Sequence, residues 1–219
     1  MPSKHRIRQY GEDCYYHIYN RGVEKRDIFL DIADYNLFIY TLRKYLEPDF
    51  KIIRKNPTTN ERIVMEPDHV YKDISLLAFC LMPNHFHLLV KLKKRDGATK
   101  LMRRVCTNYV GYFNEKYERV GALFQGTFKA VRVTTQEQCL QLSRYIHINP
   151  RAVTYKGNIE SYVYSSFYYL CRDSTPSWLD FNSVLLGNTV QDYKKFVMSR
   201  VDEDFSEAEK STLSNVLLD

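Results

Sequence analysis

The stretch ISLLAFCLMPNHFHLLVKL, Ile74 to Leu92, decides the fold. Its first nine residues, Ile74 to Met82, form a near-continuous apolar run of the kind carried by a buried strand. Pro83-Asn84 is a turn signal. After it, His85 to Leu92 reads as a second strand, so the two should pair across a tight connection. On that second strand His85 and His87 are i and i+2. They share a face roughly 6.6 Å apart, while Phe86 points the other way, toward a core. Two imidazoles converging from one strand face are a candidate pair for a divalent ion, with positions left for water, a substrate oxygen and a further protein ligand. Ordinary half-buried histidines would show the same spacing.

Working outward, Cys14 to Asn20 has strand composition and ends at the turn signal Arg21-Gly22. Ile32 to Leu46 repeats apolar residues at helical spacing, and Lys51 to Met65 reads as two short strands around NPTTN, a hairpin-like insertion. Downstream, Ala98 to Tyr117 carries an apolar helical stripe with Lys100, Arg103, Arg104 and Lys116 on its other faces. Phe128 to Thr134 alternates as a strand does. Thr135 then caps a helix from Gln136 to Ile148, stopped by Asn149-Pro150. The order strand, helix, paired strands, helix, strand, helix predicts an α+β class: an antiparallel sheet with helices on one face, close to a split βαβ plait. Beyond Pro150, Tyr162 to Leu170 and Val190 to Val201 read as short helices of a C-terminal extension, with fraying expected in the last dozen residues.

The 219 residues suit one large domain with appendages, and 44% hydrophobic residues allow a packed core, which excludes wholesale disorder. With only 8 Gly and 7 Pro, collagen-like and low-complexity classes are excluded. No apolar run approaches the roughly 18 residues of a membrane span, and the polar start MPSKHRIRQYGED lacks the apolar region of a secretory signal. Five cysteines without a CxxC point to reduced thiols in a cytoplasmic protein. A net charge of +6 together with 18 Tyr and 12 Phe is compatible with a phosphate-bearing partner, though +6 alone is too small to identify one.

A second constellation lies in RYIHINP, Arg144 to Pro150. Tyr145 and Asn149 are i and i+4, on one helix face with an offset of about 40°. A phenol and a carboxamide so placed suit metal-assisted phosphoryl transfer, the phenolate attacking phosphorus and the amide oxygen completing a coordination shell. Tyr109, Tyr112 and Tyr117 on the preceding helix are rival nucleophiles, although the stripe puts Tyr109 and Tyr112 toward the core. His147, two residues from Tyr145, falls on another face and reads as structural, not as a ligand.

The stretches YHIYNRG (Tyr16 to Gly22), LMPNHFHLLV (Leu81 to Val90), YFNEKYERVGALFQGTFK (Tyr112 to Lys129) and RYIHINPRAV (Arg144 to Val153) together resemble the HUH-superfamily single-tyrosine transposases, in particular those associated with repetitive extragenic palindromes. In order and spacing they cover roughly residues 14 to 170. The resemblance implies a ferredoxin-like catalytic domain over residues 1–170, with an insertion near 51–73 and an extension over 171–219. It implies an enzyme that cuts and rejoins single-stranded DNA through a covalent 5′-phosphotyrosine. Carried over by position, Tyr145 is the nucleophile, His85 and His87 hold Mg²⁺ or Mn²⁺, and Asn149 stands where relatives carry a polar ligand; Asn in place of Gln shortens its reach. The partner implied is single-stranded or hairpin DNA with palindromic repeats, bound by a monomer or homodimer away from any membrane.

Basic residues interleaved with aromatics are the candidates for DNA capture. They are Lys4, Arg6, Arg8, Arg21, Lys100, Arg103, Arg104, Lys129, Arg132 and Arg151, with Arg103-Arg104 and the N-terminal KHRIR cluster the most promising. Two other classes fit the same residues: a hairpin-DNA-binding regulator without catalysis, and a metal-dependent phosphodiesterase that uses water as nucleophile.

Overall fold

The computed structural model describes residues 10–154, 158–201 and 213. Lys4, Arg6 and Arg8 therefore lie outside the described residues, as does most of the final dozen. Four strands, β1 (Cys14–Arg21), β4 (Ile74–Met82), β5 (His85–Leu92) and β6 (Lys129–Val133), form one sheet in the order β4-β5-β1-β6, every neighbouring pair antiparallel. With α1 (Ile32–Leu46) between β1 and β4, and α2 (Gly97–Lys116) between β5 and β6, this is the expected split βαβ plait. The insertion is a two-stranded hairpin of its own, β2 (Ile52–Lys55) paired with β3 (Arg62–Met65).

Local chemistry explains the element ends. Asp31 caps α1 through a capping box with Asp34, and Arg43 and Lys44 in the last turn suit the negative end of the helix dipole. Thr135 accepts the Gln138 N–H at 3.0 Å to start α3 (Gln136–Ile148), and Pro150 converts the chain beyond it to a 3-10 turn.

The two sheet faces have different tasks. Phe86 meets Phe38 of α1, with ring centroids 5.1 Å apart, and Phe38 meets Tyr109 of α2 at 5.2 Å. The two helices of the split βαβ unit thus share the Phe86 face, as expected. The third helix, α3, departs from the expected placement of helices on one face: it sits on the opposite side, where Tyr145 meets His87. Beneath α1 and α2, the buried Asp34 carboxylate accepts from the Leu30 and Asp31 N–H groups, the Tyr112 and Tyr117 hydroxyls and Lys116 Nζ. Every lone pair of a buried charge is thereby matched to a donor.

The chain after Pro150 closes the outer edge of β4, which would otherwise present unpaired backbone. Leu81 N–H donates to the Tyr164 carbonyl (2.9 Å), Phe79 N–H to Ser166 Oγ (2.8 Å), and Asp180 N–H to the Leu76 carbonyl (2.8 Å). Three short helices, α4 (Ser166–Cys171), α5 (Phe181–Leu185) and α6 (Val190–Met198), bring Phe167, Phe181, Tyr193 and Val197 into the same core as the sheet, and the connection between α4 and α5 adds Trp178. The described part of the extension is continuous with the domain it follows.

His147 is the link between α3 and that extension. Its Nε2 lies 2.7 Å from Ser166 Oγ and its Nδ1 2.8 Å from the Tyr193 hydroxyl, which is also 2.8 Å from Ser143 Oγ. The structural reading of His147 is the correct one. Tyr193→Phe should therefore cost about 1–3 kcal/mol, because it leaves the buried His147 Nδ1 without a partner; a denaturant midpoint equal to wild type would show that the network contributes nothing.

Candidate active site

The site begins where two turns lock together. Gly22 N–H donates to the Asn84 carbonyl (2.9 Å), and the Ile28 and Phe29 N–H groups both reach the Pro83 carbonyl. A Cβ on Gly22 would stand 2.2 Å from the Arg26 carbonyl oxygen, so only glycine admits this approach. The Asn84 side chain ties the turns further: Nδ2 donates to the Lys25 carbonyl at 3.1 Å, and Oδ1 lies 2.6 Å from His85 Nδ1. Since that oxygen can only accept, His85 must carry its proton on Nδ1, which puts its lone pair on Nε2.

His85 and His87 stand as the strand period requires, on one face, ring centroids 4.9 Å apart and ring planes nearly perpendicular. His87 is 2% exposed. Its Nδ1 is 2.8 Å from His17 Nε2, whereas its own Nε2 is buried with no hydrogen-bond partner. Burial first, then the neighbouring His17, His85 and Arg21, holds the His87 imidazole well below its ordinary pKa, so it is neutral. A neutral imidazole with an orphaned buried nitrogen beside a second imidazole fits a divalent cation. Among the described residues no group of three or more His, Cys, Asp or Glu is placed to hold a metal.

Around the pair lies a cavity of about 210 Å³ lined by Tyr19, Asn20, Arg21, Lys25, His85, His87, Gln125 and Lys129. Three of these are cationic and none is acidic. The Arg21 Nε is buried without a partner, and Lys129 Nζ stands 5.3 Å from the centre of the Tyr19 ring. Lys25 holds a left-handed backbone (φ 60°), as does Glu24 before it (φ 56°), a conformation a non-glycine residue adopts at a cost of roughly 1–3 kcal/mol. Such strain beside a cavity is characteristic of a functional loop.

Tyr145 is half-buried on α3 and meets His87 edge to face, centroids 5.6 Å apart at 83°. Its rivals are engaged on the far face: Tyr109 donates to the Ile28 carbonyl, and Tyr112 and Tyr117 donate to Asp34. Asn149 donates through Nδ2 to the Tyr145 carbonyl at 2.8 Å and does not line the cavity.

Of the basic candidates, the structure brings Arg21 and Lys129 to the histidines. Arg103 is exposed on α2, across the sheet from the site; Arg104, also on α2, pairs with Asp68 and stacks on Tyr45. Lys100 is held by Asp73 and Asp96 at 2.8 and 2.9 Å. Arg132, exposed on β6, reaches Cys14 Sγ at 3.2 Å, and Arg151 is half-buried in the turn after α3. Sequence reading missed His17, Lys25, Asn84 and Gln125. The alternation of CYYHIYNR puts Tyr15, His17, Tyr19 and Arg21 on one face, which was the available signal for His17.

Buried His87 and His147, both held below the ordinary imidazole pKa, also set the acid response. Burial pushes His147 down to about 3 from 6.5, so between those values the unfolded chain binds a proton the native chain refuses. Stability should be complete above about pH 6.5 and fall as the pH drops, by up to about 1.4 kcal/mol per unit for each such group. Unfolding midpoints measured from pH 7 to 4.5 check this; a flat profile would contradict it.

The sheet therefore brings His85 and His87, on one strand, against Tyr145 on α3, the residues that the resemblance to single-tyrosine transposases singled out. The family model described as transposase IS200-like matches residues 11–149, well over half of the chain, and the protein belongs to that family. Among solved structures, it is similar to a REP-associated tyrosine transposase bound to a REP hairpin: TM-score 0.52, 16% identity, covering 81% of this chain and 91% of that one. At that identity the likeness speaks for the fold. No curated protein matches the chain. No helix among the described residues is long and apolar enough to cross a membrane.

Proposed function

We propose that the protein is a metal-dependent single-stranded DNA endonuclease and strand transferase, cutting and rejoining DNA beside palindromic hairpins through a 5′-phosphotyrosine on Tyr145. The observation that carries this reading is the unpartnered His87 Nε2, buried against the Tyr145 ring and beside a cavity that holds three cations and no carboxylate. Such a cavity suits a phosphodiester, whose charge the cations offset.

His85 and His87, with Asn149 as candidate third ligand, would hold Mg²⁺ or Mn²⁺, which supplies Lewis-acid polarisation of the scissile phosphate when bound. Arg21, Lys25 and Lys129 hold the strand by its phosphates. The Tyr145 oxygen attacks phosphorus and gives up its proton; the bond from phosphorus to the 3′ oxygen breaks, and that oxygen takes a proton to leave as a hydroxyl. The phosphotyrosine keeps the diester bond count, so attack by a 3′-hydroxyl restores DNA and tyrosine without ATP. The hairpin partner is carried over from the solved relative, which is bound to one.

A hairpin oligonucleotide with single-stranded flanks, labelled on either side of the break and incubated with Mg²⁺, tests the proposal. Expected are a free upstream fragment ending in a 3′-hydroxyl and a downstream fragment bound to protein through its 5′-phosphate. A free downstream fragment bearing a 5′-phosphate would mean water is the nucleophile, and binding without cleavage would mean a regulator.

A further inference from the structure

We propose that His17 is a positioning residue that fixes His87 in the tautomer able to bind a divalent cation. The inference rests on reading His85 and His87 as a metal pair. His17 sits on β1 two residues from Tyr19, the register partner of His87, and so lies diagonally across the same sheet face. It is 1% exposed and its Nε2 is 2.8 Å from His87 Nδ1. The two ring planes differ by only 20°, and centroids 5.0 Å apart are what two imidazoles joined edge to edge through their nitrogens require. The rings are therefore hydrogen-bonded in plane, where nitrogen lone pairs and N–H bonds lie.

One proton serves that contact. If His87 donates it, His87 Nε2 carries a lone pair; if His17 donates it, His87 Nε2 carries a proton buried with no acceptor. Only the first arrangement offers Nε2 as a lone pair that a cation can take, and it mirrors the Asn84 oxygen that holds a proton on Nδ1 of His85. Each histidine of the pair thus has its own polar partner behind it, one from a turn and one from a neighbouring strand. Partners of this kind typically set metal affinity by 10–100-fold.

Two measurements on the full chain test this. In ¹⁵N–¹H spectra of the metal-free protein, with His87 assigned by substitution, the wild-type proton is expected on Nδ1; a proton on Nε2 overturns the proposal, and this result needs no variant to fold. In calorimetric titration with Mn²⁺ alone, His17→Phe should bind about 10–100-fold more weakly, and His17→Gln, which restores an acceptor oxygen, should recover most of the loss. Wild-type affinity in His17→Phe overturns the role of His17. Wild-type affinity in His87→Ala overturns instead the metal pair on which it depends.

Discussion

Replacing Tyr145 by phenylalanine is expected to lower DNA cleavage by at least about 10³-fold and to abolish the protein–DNA adduct, because on the proposed mechanism it removes the oxygen that attacks phosphorus. The substitution keeps the ring, so the edge-to-face contact with His87 survives and the fold is undisturbed. The matched controls are Tyr112→Phe and Tyr117→Phe. Their hydroxyls donate to the buried Asp34 on the α1–α2 side of the sheet, so these variants should lose stability and still form the adduct. Cleavage by Tyr145→Phe at the wild-type rate, or loss of the adduct in Tyr117→Phe with Tyr145 intact, would assign the chemistry elsewhere.

The second large effect is expected at His87. His87→Ala removes the buried nitrogen that no protein group satisfies, and with it the partner of His17. Mn²⁺ affinity should fall by more than the about 100-fold that loss of a supporting partner can cause, with cleavage falling alongside. Hairpin DNA binding should persist, since Arg21, Lys25 and Lys129 remain in the cavity wall. Titration calorimetry with Mn²⁺ and a gel-shift assay separate the two. A variant that loses DNA binding as completely as metal binding would show that the histidines hold the fold or the DNA, not a cation.

The extent to which this was legible in sequence follows from how local each signal is. The turn Pro83-Asn84 and the apolar run before it fixed β4 and β5 to the residue, because a buried strand and its turn are written in consecutive residues. The same held for α1, with its Asp31 cap, and for α3, bounded by Thr135 and Pro150. His85 and His87 followed from period two alone. His17 could not: its partner is 70 positions away and is met only through the pairing of β1 with β5. Basic residues were the least legible. Arg103 and Arg104 looked prominent as a pair, yet charge says nothing about which sheet face a helix covers, and α2 covers the one without the histidines. Arg21 and Lys129, on neighbouring strands, were no more conspicuous in sequence, and they are the ones in the cavity wall. Asn149 shares the helix face of Tyr145 as spacing demanded, but its amide is engaged with the backbone of that tyrosine.

The central claim, a covalent bond between DNA and one particular tyrosine, is tested most directly by mass spectrometry of the trapped adduct. The wild-type protein, incubated with a hairpin oligonucleotide and Mg²⁺, denatured, nuclease-treated and digested, should yield one peptide carrying a nucleotide 5′-phosphate on Tyr145. The same nucleotide on Tyr109, Tyr112 or Tyr117, or efficient cleavage with no modified tyrosine at all, would contradict the account.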